Sequence, residues 1–228
     1  MTRPGNIAQI GGRHVDIVNP EIEEYMRGLL ARHDEPVLLE MEAEGKESGF
    51  PIIGRIVGVT VELLARAVGA RRVFELGSGY GYSAYWFCRA VGQDGEVHCT
   101  DGDPANEKKA LDYLGRAGLA LPIRWHVGEA VATLESNDGQ FDVIYDDIDK
   151  DGYPDAWRAA RDRIRIGGMY LCDNVLWSGR VAAPDPEDPR PHYTEAVLEH
   201  NRLIAEDERY VSSIIPTRDG VMAALRVS

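Results

Sequence analysis

The sequence predicts an α/β fold, an open doubly wound sheet of seven strands that is mostly parallel and has an antiparallel edge. Short apolar runs alternate with helical segments of about ten residues or more, which is typical of βαβ units. The last two apolar runs, 210–215 and 221–227, are joined by a turn over 216–220 and predict an antiparallel hairpin. A length of 228 residues fits one such domain better than two.

The N-terminal part of the chain is predicted to differ from the rest. Residues 1–19 have little periodicity and predict an arm, and a helix is predicted to begin at Asn19-Pro20. Residues 34–50 have a mixed pattern that ends in a loop over 45–51. A helix is predicted over 52–68, where apolar residues recur at helical spacing. We therefore divide the chain into an N-terminal element, 1–50, and a main domain, 51–228.

The main domain is predicted to alternate strands and helices. Strands are expected at 71–76, 96–100, 123–127, 141–145 and 168–172, ahead of the terminal hairpin. Helices are expected at 83–91, 105–117 and 154–164 and, after a proline-rich loop, at 193–206. Ligands of such sheets bind outside the carboxyl ends of the strands, so we expect functional residues there.

The composition limits the partners. The chain has 38 acidic residues against 25 lysines and arginines, a formal net charge of −13. Because phosphate binding needs a positive surface, this charge argues against a nucleic acid as main partner. Three cysteines without a Cys-x-x-Cys pair predict buried free thiols. No apolar segment is long enough for a signal peptide or a membrane span, so we expect a cytoplasmic protein without a membrane partner.

The first strand ends in an acidic residue followed by a glycine-rich turn. Glu75 precedes three glycines that alternate with other residues between Gly77 and Gly81. Such glycines let a backbone approach a ligand and expose the N–H groups of the next helix. The carboxylate of Glu75 favours a cationic group, such as the amino or sulfonium group of S-adenosylmethionine (SAM), over a pyrophosphate. A tight turn without a ligand is the alternative.

The next two strand ends predict a site for a nucleoside-type cofactor. Asp101 ends the second strand, where nucleotide-binding sheets hold the ribose hydroxyls. The alternative, an acid at a helix N-terminus, fits Asp103 better. The third strand is followed by Gly128-Glu129-Ala130, which predicts a wall for the adenine.

The fourth and fifth strand ends carry acidic residues and a lysine. The segment 146–151 contains four carboxylates, which repel one another unless a cation lies among them; a solvated acidic loop is the alternative. Together with Asp173-Asn174, this segment offers oxygen ligands that suit Mg²⁺ or another hard cation. Lys150, one of only four lysines, stands three residues after Asp147. A nearby cation disfavours an ammonium group, so Lys150 is a candidate general base.

These motifs resemble those of the cation-dependent, SAM-dependent O-methyltransferases, the family that includes caffeoyl-CoA and catechol O-methyltransferases. The resemblance covers residues 52–227 and is most specific in Asp-x-Asp-Lys at 147–150 and Asp-Asn-x-Leu-Trp-x-Gly at 173–179. It implies that Asp147, Asp173 and Asn174 are metal ligands and that Lys150 is the catalytic base. It also implies SAM contacts from Glu75, Gly77, Ser78, Ser83, Asp101, Ala130 and Asp147. Residues 49–54 depart from the family's Ser-Pro-Glu-x-Gly pattern, so no SAM contact is expected from them.

The resemblance implies an activity, two cofactors and an assembly. The expected reaction moves a methyl group from SAM to a hydroxyl of a small catechol-type (vicinal diol) aromatic substrate. The expected cofactors are SAM and Mg²⁺, or another divalent cation such as Mn²⁺ or Ca²⁺, and the expected assembly is a homodimer to which residues 1–50 could contribute. Two alternatives stay open: methylation of a hydroxylated tRNA uridine, and a SAM- or metal-binding protein without turnover.

Four further residues near the expected site have structural alternatives. Trp177 and Tyr153 are expected either to line the aromatic substrate or, for Trp177 equally, to pack in the core. His192 and His200 are expected at surface or capping positions rather than in catalysis.

Overall fold

The computed structural model describes residues 17–228. Residues 1–16, most of the predicted arm, lie outside the described residues. The helices are α1 (Pro20–Leu29), α2 (Pro36–Ser48), α3 (Gly54–Ala67), α4 (Tyr82–Val91), α5 (Pro104–Arg116), α6 (Ala130–Ser136), α7 (Tyr153–Ala160) and α8 (Pro191–Ala205). The strands are β1 (Arg72–Leu76), β2 (Glu96–Asp101), β3 (Ile123–Val127), β4 (Phe141–Asp146), β5 (Ile164–Cys172), β6 (Tyr210–Ile215) and β7 (Val221–Arg226).

The strands form one sheet in the order β3-β2-β1-β4-β5-β7-β6. β1 pairs in parallel with β2 and with β4, and β7 runs antiparallel to both β5 and β6. This confirms the predicted fold class, including the antiparallel edge. The strand order reverses between β1 and β4, and such a switch point opens a crevice at the carboxyl ends of the strands.

Helices cover both faces of the sheet. Val73 of β1 packs with α2 to α5, and the next residue, Phe74, packs with α6 to α8. This alternation follows from the pleat, which turns successive side chains to opposite faces. Gly58 of α3 lets that helix approach Trp86 of α4, because a Cβ at residue 58 would lie 2.1 Å from the indole nitrogen. The core therefore consists of two layers that share the sheet.

Helix α2 corrects the prediction for 34–50, which was a mixed region ending in a loop over 45–51. The helix begins at Pro36 and continues to Ser48, with Leu38 and Met41 fully buried. These two residues are three apart and lie on one face of the helix, where they join the core cluster of α3 and α4. Tertiary burial stabilises a helix here that the weak local pattern does not show.

Two further differences concern helix bounds after β3. The short helix α6 was not predicted; it begins after Glu129, whose carboxylate accepts hydrogen bonds from the amides of Val131 (2.9 Å) and Ala132 (2.6 Å). The helix predicted over 154–164 ends at Ala160, and Ile164 already belongs to β5. Because Ile164 pairs with Phe141 of β4, β5 begins at Ile164 and the helix ends before it.

Two predictions from composition can be compared with the structure. Cys88, Cys99 and Cys172 are buried free thiols, as predicted. Within residues 17–228, no helix has the length and apolar character needed to cross a membrane.

Candidate active site

The register of the sheet brings the acidic strand ends together. Leu76 of β1 lies opposite Asp146 of β4, and Asp146 lies opposite Cys172 of β5. The residues that follow, Asp147 and Asp173, therefore emerge side by side. Two backbone hydrogen bonds fix them: the Asp147 amide donates to the Leu76 carbonyl (2.9 Å), and the Asp173 amide donates to the Asp146 carbonyl (3.1 Å).

Asp147, Asp173 and Asn174 form an oxygen-rich site that fits a hard divalent cation. Asp173 is 2% exposed, and its Oδ1 atom has no hydrogen-bond partner among residues 17–228. Burial raises the pKa of Asp173, although the positive charges of Arg218 and Lys150 oppose the rise. Burial likewise raises the pKa of Asp147, against the charge of Lys150. A buried carboxylate oxygen without a partner, as in Asp173, is costly, and a bound cation would remove that cost.

Lys150 lies at the centre of this site and is 8% exposed. Its ammonium group donates hydrogen bonds to the Tyr153 hydroxyl (2.5 Å), to Asn174 Oδ1 (2.9 Å) and to the Ile148 carbonyl (3.3 Å). The same nitrogen lies 3.5 Å from Asp147 Oδ1. The structure therefore places the predicted base against two of the three predicted metal ligands.

The four carboxylates of the segment 146–151 are dispersed rather than clustered. Asp149 and Asp151 are exposed and match the alternative of a solvated acidic loop, whereas Asp147 is half-buried and its Oδ1 lies 3.5 Å from the Lys150 nitrogen. Asp146 is fully buried and accepts a 2.7 Å hydrogen bond from the Tyr170 hydroxyl. Burial raises the pKa of Asp146 to about 6. One acid of the four thus combines with Asp173 to form the candidate metal site.

Glu75 lies beside this site and is the candidate anchor for a cationic group of SAM. It is fully buried, and neither carboxylate oxygen has a hydrogen bond of normal geometry among residues 17–228. Burial raises its pKa to about 7, and the nearby hydroxyls of Ser83 and Ser78 partly oppose the rise. A buried carboxylate of this kind suits an ammonium or sulfonium group, and the contact of Glu75 with SAM stays a prediction.

The glycine-rich turn shapes the same crevice. Gly77 has a φ of 83°, and a Cβ there would lie 2.7 Å from the Asp147 carbonyl oxygen. The close approach of the two strand ends therefore needs glycine. Ser78 is held by β2, since its Oγ accepts a 3.1 Å hydrogen bond from the Thr100 amide. Ser83, 6% exposed, lies in the first turn of α4.

The structure places the two remaining predicted SAM contacts at the next strand ends. Asp101 ends β2, and its Oδ1 accepts hydrogen bonds from the Asp103 amide (2.8 Å) and from Asn106 Nδ2 (3.0 Å). Asp103 is the residue that caps α5, by accepting from the Ala105 amide. Ala130 is the first residue of α6 and is 9% exposed.

The aromatic and histidine residues near the site differ in part from the expectations. Tyr153 is fully buried and binds Lys150, so it does not line an open substrate surface. Trp177 is half-buried and its ring centroid lies 6.0 Å from that of Tyr193. His192 is exposed, but His200 is fully buried, which corrects its expected surface or capping position.

Two parts of the site were missed by the sequence analysis. Arg218, in the turn between β6 and β7, donates a 2.9 Å hydrogen bond to the Ile52 carbonyl, and its positive charge lowers the pKa of Asp173.

The second part is a buried group behind the site. Asp146, Cys172 and His200 offer ligand atoms within 4.8 Å of one another, and the Tyr170 hydroxyl contacts both Asp146 and His200. No local pattern marks these residues, because their contacts join distant parts of the chain.

Comparison with known proteins identifies a family for this chain. A family model described as O-methyltransferase matches residues 36–227. The caffeoyl-CoA O-methyltransferase of Medicago sativa is 30% identical over 179 residues, 75% of this chain and 72% of that protein. Caffeoyl-CoA O-methyltransferase 1 of Arabidopsis thaliana is 29% identical over 218 residues, 92% of this chain and 79% of that protein.

A solved structure shows the same fold. The O-methyltransferase of Streptomyces achromogenes involved in tomaymycin synthesis, determined in complex with SAM, has a TM-score of 0.80 and 26% identity, over 91% of this chain and 96% of that chain. The family match extends over nearly the whole described chain, and it confirms the resemblance that the motifs indicated. The chain therefore belongs to the O-methyltransferase family and is a SAM-dependent O-methyltransferase.

Proposed function

We propose that this enzyme transfers the methyl group of SAM to one hydroxyl of a small aromatic vicinal diol, with the help of a divalent cation. The observation that carries the proposal is the position of Lys150, which contacts Asn174 at 2.9 Å and lies 3.5 Å from Asp147. A base directly beside an oxygen-only ligand set is the arrangement that deprotonation of a chelated diol requires.

The cation would be held by Asp147, Asp173 and Asn174. When bound there, Mg²⁺ or a similar ion supplies Lewis acidity, which lowers the pKa of the substrate hydroxyls and orients both oxygens. Two observations support this assignment, because each is a cost that a cation relieves: Asp173 Oδ1 has no hydrogen-bond partner in the described part of the chain, and the pKa values of both carboxyls are raised.

Lys150, in its neutral amine form, would accept the proton of the reacting hydroxyl and become an ammonium group. Its nitrogen is held by Tyr153 and Asn174, so it has a defined position from which to reach that proton. The new oxygen–carbon bond forms as the carbon–sulfur bond of SAM breaks, and the proton remains on Lys150 when S-adenosylhomocysteine leaves. Positioning and electrostatics provide most of the rate, since the methyl group needs only an aligned and deprotonated oxygen.

The SAM side of the site would be formed by β1, β2 and the helices that follow. The buried carboxylate of Glu75 would pair with a cationic group of SAM. Gly77, Ser78 and Ser83 would line the methionine part. Asp101 would bind the ribose hydroxyls with its second oxygen, since Oδ1 is taken by the α5 N-terminus. Ala130 would contact the adenine, and Asp147 would contact SAM as well as the cation.

The charge of the chain favours a small substrate over a nucleic acid. A net charge of −13 repels the phosphates of a tRNA, whereas it does not repel an uncharged diol. The names of the curated relatives agree with a phenolic methyl acceptor, since several are caffeoyl-CoA O-methyltransferases.

The test is methyl transfer from labelled SAM to a panel of catechols, with resorcinol as the control diol and a hydroxyuridine-containing tRNA in parallel. We expect label in the catechols, loss of transfer in EDTA and recovery with Mg²⁺ or Mn²⁺. Resorcinol should stay unlabelled, because its hydroxyls are too far apart to chelate one ion. Label on the tRNA alone would overturn the substrate, and full activity after chelation would overturn the cation. Tight SAM binding without any transfer would favour a non-catalytic protein.

We further propose a homodimer in the cytoplasm. Helix α1 exposes the apolar side chains of Ile22 (54%), Tyr25 (67%) and Leu29 (62%), which a second copy of the chain could cover. Light scattering coupled to size exclusion is the test. A dimer of the wild type that becomes a monomer in Tyr25→Asp is expected, and a monomeric wild type would contradict the assembly.

A further inference from the structure

The segment 174–178, which carries the candidate ligand Asn174, has a strained backbone. Asn174, Trp177 and Ser178 have φ values of 57°, 47° and 53°. Asn tolerates this left-handed conformation better than most residues, whereas a bulky residue such as Trp177 rarely adopts it. A residue held in such a conformation persists only where surrounding contacts impose it. The contacts around segment 174–178 therefore show what holds the ligand in place.

The turn between β6 and β7 holds the N–H groups on one side of the segment. The Val175 amide donates to the Gly220 carbonyl (3.2 Å), and the Leu176 amide donates to the Asp219 carbonyl (2.9 Å). The Ser178 amide donates to the Asp219 carboxylate at 2.5 Å. These bonds fix three donors of the segment but leave its carbonyl groups to other partners.

Helices α7 and α8 hold two carbonyl groups, one on each side of Asn174. The Tyr153 hydroxyl donates to the Asp173 carbonyl (2.7 Å), immediately before Asn174. The side-chain amide of Asn201, on α8, donates to the Val175 carbonyl (2.8 Å), immediately after it. The backbone is therefore tied on both sides of Asn174, which limits rotation of the residue that presents Oδ1 to the site.

The amide of Asn201 is itself oriented by a buried network. A carbonyl can only accept, so the NH₂ group of Asn201 must face Val175, and its Oδ1 faces His200 Nδ1 at 3.2 Å. His200 Nδ1 is then the donor in that contact. On its other side, His200 Nε2 lies 3.1 Å from the Tyr170 hydroxyl, whose single proton is donated to Asp146 at the end of β4, so the neutral ring packs against Tyr170 without a hydrogen bond. These contacts link the Asn201 amide to the ends of both strands that carry the candidate ligands.

We propose that Asn201, oriented by His200, is a positioning residue that holds segment 174–178 in the conformation that presents Asn174 Oδ1 to the cation. The inference rests on the proposed cation site. Helix α8 supplies none of the proposed ligands, but through Asn201 it would affect the affinity for the metal. Removal of a group that orients a metal ligand typically weakens metal binding about 10- to 100-fold.

The experiment compares Asn201→Ala, Asn201→Gln and His200→Phe with Arg202→Ala, the control. Arg202 is the exposed neighbour of Asn201 on α8 and pairs with Glu206. Three quantities are measured: the Mn²⁺ dissociation constant by electron paramagnetic resonance, S-adenosylhomocysteine affinity by calorimetry, and hydrogen exchange at the amides of Val175 and Leu176. None of these readouts depends on turnover.

We expect the Mn²⁺ dissociation constant of Asn201→Ala to rise about 10-fold or more, with faster exchange at both amides and S-adenosylhomocysteine affinity within about twofold. His200→Phe should show a smaller loss, Asn201→Gln a partial recovery, and Arg202→Ala no change. If Asn201→Ala lowers only the melting temperature and binds Mn²⁺ like the wild type, the positioning role is wrong. If the wild type itself binds no divalent cation, the proposed cation site fails, and the role of Asn201 toward it fails with it.

Discussion

The ammonium group of Lys150 donates a 2.9 Å hydrogen bond to Asn174 Oδ1, so the candidate base and a candidate metal ligand are in direct contact. Lys150 follows β4 and Asn174 follows β5, and these strands are neighbours in the sheet. The contact therefore depends on the parallel register that brings both strand ends to one edge. The candidate base and the candidate metal ligands therefore form one structural unit, the adjacent carboxyl ends of β4 and β5.

Replacement of the candidate base tests that unit. We expect Lys150→Ala to lower kcat about 10²- to 10⁴-fold, the usual contribution of a positioned general base, with S-adenosylhomocysteine affinity within about twofold. Lys46→Ala is the matched control, because Lys46 is exposed at the end of α2. Steady-state kinetics with a catechol decides the outcome, and near-normal turnover of Lys150→Ala would remove the base assignment.

Asp173→Asn should have opposite effects on metal affinity and on stability. We expect its Mn²⁺ dissociation constant to rise at least about 100-fold, the upper end of the loss seen when only a partner of a ligand is removed. In EDTA, however, its melting temperature should rise. The pKa of Asp173 is raised in the folded protein, so its ionised form destabilises the metal-free fold at neutral pH, and the neutral amide avoids that cost.

Calorimetry and thermal unfolding measure the two effects, with Asp149→Asn, an exposed acid on the same loop as Asp147, as the control. Unchanged Mn²⁺ affinity in Asp173→Asn would exclude this carboxylate as a ligand.

The affinity for the cofactor should depend on pH through Glu75. Burial raises the pKa of Glu75 to about 7, and its ionised form is the one that pairs with a cation. Binding must then displace a proton at lower pH, so the dissociation constant of S-adenosylhomocysteine, which keeps the amino group of SAM, should rise about fivefold from pH 7 to pH 6. Glu75→Gln should bind more weakly and lose this pH dependence. Calorimetry at several pH values is the measurement, and an identical pH profile for wild type and Glu75→Gln would contradict the pairing.

Gly77→Ala should damage both fold and site. The new Cβ would lie 2.7 Å from the Asp147 carbonyl oxygen, and the φ of 83° disfavours any side chain. We expect a loss of about 1–3 kcal/mol in the free energy of unfolding and weaker Mn²⁺ binding, because Asp147 must shift. Gly102→Ala is the control, since a Cβ there meets no atom of residues 17–228 within 4 Å. Denaturant unfolding measures the loss, and equal stability of the two variants would show that β1 and β4 can separate without cost.

Local patterns in the sequence determined the fold class and the chemistry of the strand ends. Alternating apolar runs, with Gly77 after β1 and Asp147 after β4, predicted the parallel sheet and the edge where ligands bind. They succeeded because each signal lies within a few residues: a short apolar run for a strand, and a polar residue directly after it. These signals did not predict helix α2, because Leu38 and Met41 are the only fully buried apolar side chains among its 13 residues, four of which are glutamates.

Only the tertiary structure decided which polar residues work together. Asp146 and Asp147 are neighbours in sequence, yet Asp146 accepts a hydrogen bond from the buried Tyr170 and Asp147 pairs with Lys150 in the candidate site. His200 and Asn201 reach the ligand segment across 26 residues of chain, through the contact of Asn201 with Val175. Side-chain direction in a pleated strand and contacts between distant segments arise from packing, and for that reason no local pattern in the sequence contains them.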